Sequence, residues 1–267
     1  MSLSSLSARA LLGIACLAAI GHERGAALAQ DVVTLGRGAA GGELVSLAVP
    51  SFHDAVVVAP RAPGARPVVV VLHGMGDRPD WICAAFDALV AGRAWILCPR
   101  GAPFGDERDL WTFPLGRRGA AREVHAALGA LAQAHGARVD ATSPVLAGFS
   151  LGAMHASFLA AAEPASFPRA FIIDTHYVWS LEQVRRFAAA RGRAVSFVCS
   201  RTYVRDCTRL SHAPGAVAAA AVPTRTLVLP TREHGYDREL IDLVRPDFAA
   251  LTASDPRWVS VTPTITP

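Results

Sequence analysis

A serine between two glycines stands where a predicted strand meets a predicted helix. Residues 148–152 read GFSLG, after the apolar run 145–147 and before an alanine-rich stretch. In a G-x-S-x-G turn the glycines permit a sharp bend that holds the serine hydroxyl above the edge of the sheet. The alternative is an ordinary strand–helix turn in which the serine only caps the helix. The strand before it and the helix after it favour Ser150 as a nucleophile for acyl transfer.

A second glycine-rich turn follows an earlier strand. The strand predicted over residues 67–72 runs into HGMGD at residues 73–77. Acyl transfer passes through an oxyanion, which needs two fixed N–H donors. In this kind of hydrolase one donor comes from such a loop and the other from the residue after the nucleophile. We therefore assign the donors to the backbone N–H groups of Met75 and Leu151, and we assign His73 a bracing role in the loop.

A serine hydroxyl needs a neighbouring base, and the position of His234 fits that role. It follows the last predicted strand, 224–229, and precedes the last predicted helix, 237–251. The loop between them opens at the carboxyl edge of the sheet, where ligands bind in open α/β folds. His212 and His176 are weaker candidates for the base.

Two aspartates are candidates for the carboxylate that orients the base. The chain order in this fold is serine, acid, histidine, and both Asp174 and Asp206 satisfy it. Asp174 ends the predicted strand 170–174, whereas Asp206 follows the next strand, 194–199. The topology favours Asp206, because the acid usually follows the later strand.

These motifs together resemble the phospholipase/carboxylesterase family, which includes acyl-protein thioesterases and small bacterial carboxylesterases. The resemblance covers about residues 67–250 and is carried by HGMGD at 73–77, CPRG at 98–101, GFSLG at 148–152 and His234. It implies an α/β-hydrolase fold with Ser150, Asp206 and His234 as a triad and Met75 and Leu151 as oxyanion donors. The family's acid loop reads roughly Gly-Asp-x-Asp-Pro, whereas residues 200–207 here read SRTYVRDC.

The elements that position these residues alternate along the chain. Strands are predicted at 43–49, 55–59, 67–72, 94–98, 144–147, 170–174, 194–199 and 224–229. Helices are predicted at 80–91, 119–135, 150–162, 181–191, 208–220 and 237–251. This alternation predicts a mainly parallel sheet of about eight strands with helices on both faces, a hairpin of the two early strands at one edge, and no large lid. We predict one domain over residues 30–267.

The first 29 residues have the features of an export signal. Arg9 precedes the apolar run 10–20, and Ala27-Leu28-Ala29 is an A-x-A cleavage site. The run is too short to span a bilayer, so we expect no stable membrane insertion. Lipidation at Cys16 is an alternative, although Gly13 stands where that motif has leucine. The expected location is periplasmic or extracellular.

Removal of the signal leaves four cysteines. An even number in an exported chain favours disulfides over free thiols. Three pairings are possible, and proximity in sequence favours Cys83 with Cys98 and Cys199 with Cys207.

Aromatic side chains cluster in the predicted loop 101–118 and after the strand 170–174. Trp111, Phe113 and Tyr177 are candidates for lining a substrate pocket, together with Phe104, Leu115 and Trp179. The alternative is that these rings pack the loops against the body of the domain.

Composition narrows the function classes. Hydrophobic residues make up 52% of the 267 residues and charged residues 18%, which is typical of a globular protein. All 26 strong bases are arginines spread along the chain, a pattern that does not indicate nucleic-acid binding. The sequence predicts a secreted serine carboxylic-ester hydrolase with a small-molecule ester substrate and no metal or organic cofactor. A peptidase or amidase on the same fold and a non-catalytic binding protein are the alternatives, and the oligomeric state is open.

Overall fold

Short apolar runs fold into strands of a central sheet, and the alanine-rich stretches between them form helices. A computed structural model describes residues 34–106, 109–114, 116–211 and 222–258. The strands are β1 (Thr34–Arg37), β2 (Glu43–Leu47), β3 (Ala55–Val58), β4 (Arg66–Leu72), β5 (Trp95–Cys98), β6 (Ala102–Pro103), β7 (Trp111–Thr112), β8 (Val139–Phe149), β9 (Arg169–Ile173), β10 (Ala194–Ser200) and β11 (Thr224–Leu229). The helices are α1 (Pro79–Val90), α2 (Arg117–His135), α3 (Leu151–Ala162), α4 (Leu181–Ala189), α5 (Val204–Ser211) and α6 (Arg238–Thr252).

In the described part of the chain the main sheet has nine strands, in the order β1-β2-β3-β5-β4-β8-β9-β10-β11. The pairs β1–β2, β2–β3 and β3–β5 are antiparallel. The remaining neighbours pair in parallel, and they are the six strands β5, β4, β8, β9, β10 and β11. The predicted fold class is therefore confirmed. The early strands pair with each other as expected, but β1 adds an unpredicted outer strand, because its four residues show no apolar pattern.

Alternate residues of the parallel strands feed two cores, one on each face of the sheet. In β4, Val68, Val70 and Leu72 face a cluster that includes residues of α2, α3, α4 and α5. Val69 and Val71 face a second cluster, with α1 and α6. Strands buried on both faces are continuous apolar runs for this reason. The parallel strands thus end at one edge, where the loops carry the candidate site.

Two local features differ from expectation. Helix α5 begins at Val204 instead of residue 208, so Asp206 lies in its first turn and not in a loop. The predicted end of that helix, at residue 220, lies outside the described residues. The stretch 101–118 contains an unpredicted two-stranded hairpin, β6–β7, before α2 begins at Arg117.

Both predicted disulfides are present. Cys83 of α1 is bonded to Cys98 of β5, and Cys199 of β10 is bonded to Cys207 of α5. Bonds of this kind persist in oxidising compartments. Among the described residues no helix has the length and hydropathy needed to cross a bilayer. The predicted signal segment, with Cys16 and the Ala29 cleavage site, lies outside the described residues.

Candidate active site

Ser150 occupies a strained turn between β8 and α3. Its φ is 56° and its ψ is −118°, a combination that residues other than glycine rarely adopt. A Cβ on Gly148 would lie 2.5 Å from the carbonyl of Gly152, and a Cβ on Gly152 would lie 2.1 Å from the carbonyl oxygen of Leu72. Neither position has room for a side chain, so the flanking glycines permit the sharp turn. The Ser150 side chain makes no capping hydrogen bond at the start of α3.

The loop after β4 lies beside this turn. A Cβ on Gly74 would be 3.5 Å from Cβ of Ser150, so the loop passes directly beside the nucleophile candidate. The His73 ring is fully buried, with Nδ1 2.8 Å from the carbonyl oxygen of Gly74 and Nε2 2.8 Å from that of Arg100. Burial lowers the pKa of His73, so the neutral ring donates to one carbonyl at a time. This histidine braces the loop that contains Met75.

Asp77 ties the same loop to two other parts of the molecule. Its carboxylate accepts a hydrogen bond from the Gly74 N–H at 3.2 Å and one from the Tyr236 hydroxyl at 2.7 Å. Its backbone exchanges two hydrogen bonds with Trp111 of the β6–β7 hairpin. Because Tyr236 lies two residues after His234, Asp77 links the loop 73–77 to the loop that carries His234. The sequence did not predict the hydrogen bond between Tyr236 and Asp77. The feature that could have indicated it is the position of Tyr236 two residues after His234.

The carboxylate beside His234 is that of Asp174. Nδ1 of His234 lies 3.1 Å from Oδ2 of Asp174, and Oδ1 of Asp174 accepts a 2.6 Å hydrogen bond from the Ser200 N–H. The Asp174 side chain is only 2% exposed, whereas that of His234 is 36% exposed. Asp174 follows β9, the immediate neighbour of the nucleophile strand β8. The N–H of Ser150 also donates to the carbonyl of Ile173 at 3.0 Å, which joins the Ser150 turn to the Asp174 turn.

The structure places Asp206, which the sequence favoured as the acid over Asp174, beside His176 and not beside His234. Oδ2 of Asp206 lies 2.8 Å from Nδ1 of His176, and its Oδ1 lies 3.7 Å from the exposed Arg209 guanidinium. The physical reason is that α5 starts four residues earlier than expected, so Asp206 lies within a helix turn. The disulfide between Cys199 and Cys207 holds this turn as expected, but it does not bring Asp206 to the base.

Two aromatic rings flank the His234 imidazole. The Phe149 ring is stacked on it, with centroids 4.5 Å apart and an interplanar angle of 22°. The Tyr203 ring is tilted against it at 5.4 Å. Since Phe149 immediately precedes Ser150, the stack places the imidazole beside the nucleophile turn. Histidines that compete for the role have other surroundings: His53 on Trp111, His125 with Glu163, His135 on Trp95, His155 buried near Phe113, and His176 with Asp206. His212 lies outside the described residues.

The predicted pocket-lining rings lie in different surroundings. Phe113 is buried between His73 and His155, at 4.7 Å and 5.8 Å, so its ring packs the interior and is not available to a ligand. Trp111 is half-buried beneath the Arg100 guanidinium, which lies 4.9 Å above its ring. Tyr177 is 46% exposed and packs edge-on against Phe158 at 4.6 Å. Phe104 covers Gly76 in the oxyanion loop and is 39% exposed, whereas Trp179 is buried. Leu115 lies outside the described residues.

A cavity of about 460 Å³ lies away from Ser150. It lies beside β6 of the hairpin, and the residues that line it include His53, Arg122 and Glu123. Glu123 is buried, and its carboxylate accepts a 2.7 Å hydrogen bond from the Gly101 N–H. Its role is therefore to hold the start of the hairpin segment. Within the described part of the chain, no group of three histidine, cysteine, aspartate or glutamate side chains could hold a metal ion.

Solved structures share this architecture at low sequence identity. S-formylglutathione hydrolase from Agrobacterium tumefaciens aligns over 83% of this chain and 98% of its own, with a TM-score of 0.56 and 16% identity. A carboxylesterase from Bacillus cereus aligns over 76% and 96%, with a TM-score of 0.54 and 15% identity. Acyl-protein thioesterase 2 from Zea mays aligns over 73% and 97%, with a TM-score of 0.50 and 17% identity. No family model and no curated protein sequence matches the chain. The structural likeness shows that the chain has an α/β-hydrolase fold.

Proposed function

We propose that this chain is a serine carboxylic-ester hydrolase with Ser150, His234 and Asp174 as its triad. The observation that carries the proposal is the strained Ser150 turn beside a histidine whose Nδ1 lies 3.1 Å from a buried carboxylate. A nucleophile, a base and an orienting acid are the three parts that serine hydrolysis requires, and they are recognised by geometry rather than by sequence position. The names of proteins with the same fold, carboxylesterase and thioesterase among them, support an acyl-transfer reaction.

In the proposed mechanism Nε2 of His234 takes the proton of the Ser150 hydroxyl as Oγ attacks the ester carbonyl. The carbonyl electron pair moves to the oxygen, and the N–H groups of Met75 and Leu151 stabilise the resulting oxyanion. The tetrahedral intermediate collapses, the alcohol leaves with the proton from His234, and Ser150 is acylated. Water then attacks the acyl carbonyl while His234 takes a proton from that water. The second tetrahedral intermediate collapses with cleavage of its bond to Ser150 Oγ, which regains the proton from His234, and the carboxylic acid is released.

Asp174 has two tasks in this mechanism. It fixes the imidazole tautomer by accepting the Nδ1–H, and its negative charge stabilises the imidazolium that forms during attack. Its second oxygen is occupied by the Ser200 N–H at 2.6 Å, so the carboxylate cannot rotate away from His234 without losing that bond. The base is therefore positioned before substrate arrives.

Labelling with a fluorophosphonate probe tests the activated serine. We expect covalent labelling of the wild-type chain and none of Ser150→Ala. With p-nitrophenyl esters from acetate to palmitate, Ser150→Ala should lose activity by a factor on the order of a million. Folded wild-type protein that neither takes the probe nor cleaves any ester would indicate a binding protein with a hydrolase fold. Faster cleavage of peptide amides than of esters would indicate a peptidase.

We also propose that the chain is exported and cleaved after Ala29. Two disulfides in a chain of this length support an oxidising compartment. The mass of exported protein should correspond to a chain beginning at Gln30. A mass that includes a diacylglyceryl group on Cys16 would contradict cleavage at Ala29 and establish a lipoprotein.

A further inference from the structure

We propose that Tyr203 is a positioning residue that holds the His234 imidazole in place for base catalysis. This inference rests on the proposed function. It assigns a new role to the segment 200–206, which lies between Cys199 and Cys207 and in which the sequence predicted the acid. The segment supplies no acid to His234, yet three of its residues contact the acid–base pair or the loop that carries it.

The first two contacts come from the backbone. Ser200 donates its N–H to Oδ1 of Asp174 at 2.6 Å. Arg201 donates its N–H to the carbonyl of Arg232 at 2.9 Å, two residues before His234. The side chain of Arg201 also lies 2.6 Å from Glu233, the immediate neighbour of His234, although both side chains are exposed. The segment therefore binds both the acid and the histidine loop.

The third contact is the Tyr203 ring. It packs against His234 at 5.4 Å, while Phe149 stacks on the imidazole at 4.5 Å. The loop that carries His234 is at the surface, and its side chain is 36% exposed. With Phe149 and Tyr203 both packed against the imidazole, rotation about χ1 and χ2 has to displace an aromatic ring. Because a misplacement of about 1 Å costs on the order of 100-fold in rate, restricting this rotation affects catalysis directly.

Tyr203 is itself held in place. Its ring packs on His176 at 4.7 Å, and His176 is hydrogen-bonded to Asp206. Burial raises the pKa of the Tyr203 phenol, as do the nearby charges of Asp174 and Asp206, so the hydroxyl stays neutral between two carboxylates. The disulfide joins Cys199, directly before the segment, to Cys207, four residues after Tyr203. These contacts hold the Tyr203 ring in place independently of its contact with His234.

Two substitutions distinguish the contribution of the Tyr203 ring from that of its hydroxyl. Tyr203→Phe keeps the ring and is the matched control for Tyr203→Leu, which removes it. We expect Tyr203→Leu to lower kcat on a p-nitrophenyl ester by about 10- to 100-fold with KM nearly unchanged, and to slow fluorophosphonate labelling by the same factor. The kcat of Tyr203→Phe should stay within about threefold of the wild-type value, because the contact with His234 is made by the ring.

Proton NMR gives a readout that does not depend on activity. The hydrogen-bonded Nδ1 proton of His234, assigned by its loss in His234→Gln, should be sharp in wild type and Tyr203→Phe and broadened by exchange with water in Tyr203→Leu. Thermal melts establish that each variant is folded. Unchanged kcat and an unchanged Nδ1 signal in folded Tyr203→Leu would overturn the inference. So would a rise in KM alone, which would make Tyr203 a substrate contact.

The failure of this inference is distinguishable from that of the proposed function. If wild-type protein neither hydrolyses esters nor takes the probe, the proposed function fails, and the Nδ1 signal still decides whether Tyr203 holds His234. If wild type is active and Tyr203→Leu matches it in rate and spectrum, only the positioning role fails.

Discussion

Asp174 and His234 lie 60 residues apart in the chain and 3.1 Å apart in the structure, between Oδ2 and Nδ1. Asp174 follows β9 and His234 follows β11, and β10 lies between those two strands in the sheet. The contact therefore spans the end of an intervening strand. The N–H of Ser200, at the end of β10, donates the hydrogen bond that fixes the Asp174 carboxylate.

This geometry predicts that Asp174→Asn is far more damaging than Asp206→Asn. An amide at position 174 still accepts from Ser200 but cannot stabilise the imidazolium, and a comparable change in a serine protease lowers kcat about 10⁴-fold. Asp206→Asn alters a pair whose histidine is 67% exposed, so we expect at most about a fivefold effect. Kinetics on a nitrophenyl ester, with thermal melts of both variants, test the ranking. A larger loss of kcat in folded Asp206→Asn would contradict it.

Gly152→Ala should damage the site by sterics alone. The new Cβ would lie 2.1 Å from the Leu72 carbonyl oxygen, so the start of α3 or the end of β4 has to shift. Overpacking of this kind costs about 1–3 kcal/mol, and here it moves the nucleophile relative to the oxyanion loop. Urea unfolding and kcat measure the two effects. Gly129→Ala in α2 is the matched control, because its Cβ meets nothing within 4 Å and the change should stabilise by about 0.5–1 kcal/mol. Equal behaviour of the two variants would show that the close approach at Gly152 is relieved without cost.

Removal of either disulfide should lower stability by a similar amount. The Cys199–Cys207 bridge differs from the other because it encloses the segment 200–206. The separations of 15 and 8 residues predict losses of about 3 and 2.5 kcal/mol in a loop-entropy model. Cys199→Ala/Cys207→Ala should in addition lower kcat, because Ser200 and Tyr203 lie between the two cysteines. Unfolding by urea and ester kinetics on both double variants give the comparison. Full kcat in the folded Cys199→Ala/Cys207→Ala protein would show that the bridge serves stability alone.

A buried ion pair far from the site should make stability depend on pH. Nη1 of Arg169 lies 3.1 Å from Oδ2 of Asp255, with exposures of 0% and 4%. Burial by itself would raise the pKa of Asp255, but hydrogen bonds from Arg257 and the charges of Arg169 and Arg257 outweigh it and lower that pKa. A carboxyl with a lowered pKa stabilises the fold above its unfolded pKa of about 3.9, and this stabilisation is lost as the pH falls through the folded pKa.

The variant Asp255→Asn tests this dependence. At pH 7 it leaves the buried Arg169 charge uncompensated, so the free energy of unfolding should fall by about 3–5 kcal/mol. The difference from wild type should shrink in acid, where Asp255 itself becomes protonated. The control is Glu182→Gln, which breaks an exposed pair with Arg186 and should cost less than about 0.5 kcal/mol. A difference that does not change between pH 7 and pH 3 would contradict the assignment.

Much of the architecture follows from local sequence signals. The continuous apolar runs predicted the parallel strands, since strands covered on both faces have no polar side. The glycines of residues 148–152 predicted a turn that the structure confirms as too tight for side chains at positions 148 and 152. The proximity of cysteines predicted both disulfides. The outer strand β1 and the β6–β7 hairpin were not predictable, because segments of four and two residues carry too little periodicity.

The contacts of His234 with Asp174 and Tyr203 were decided only in three dimensions. Asp174 and Asp206 both satisfy the order serine, acid, histidine, and both follow strands that end at the same edge of the sheet. What separates them is where α5 begins: a start at Val204 turns Asp206 toward His176, and Tyr203 takes the place beside His234. The sequence by itself determined which residues reach the carboxyl edge of the sheet, because chain order and strand direction set that. Which of them touch was decided by tertiary packing, because the earlier start of α5 places Asp206 in helical geometry, where the backbone fixes the direction of its side chain.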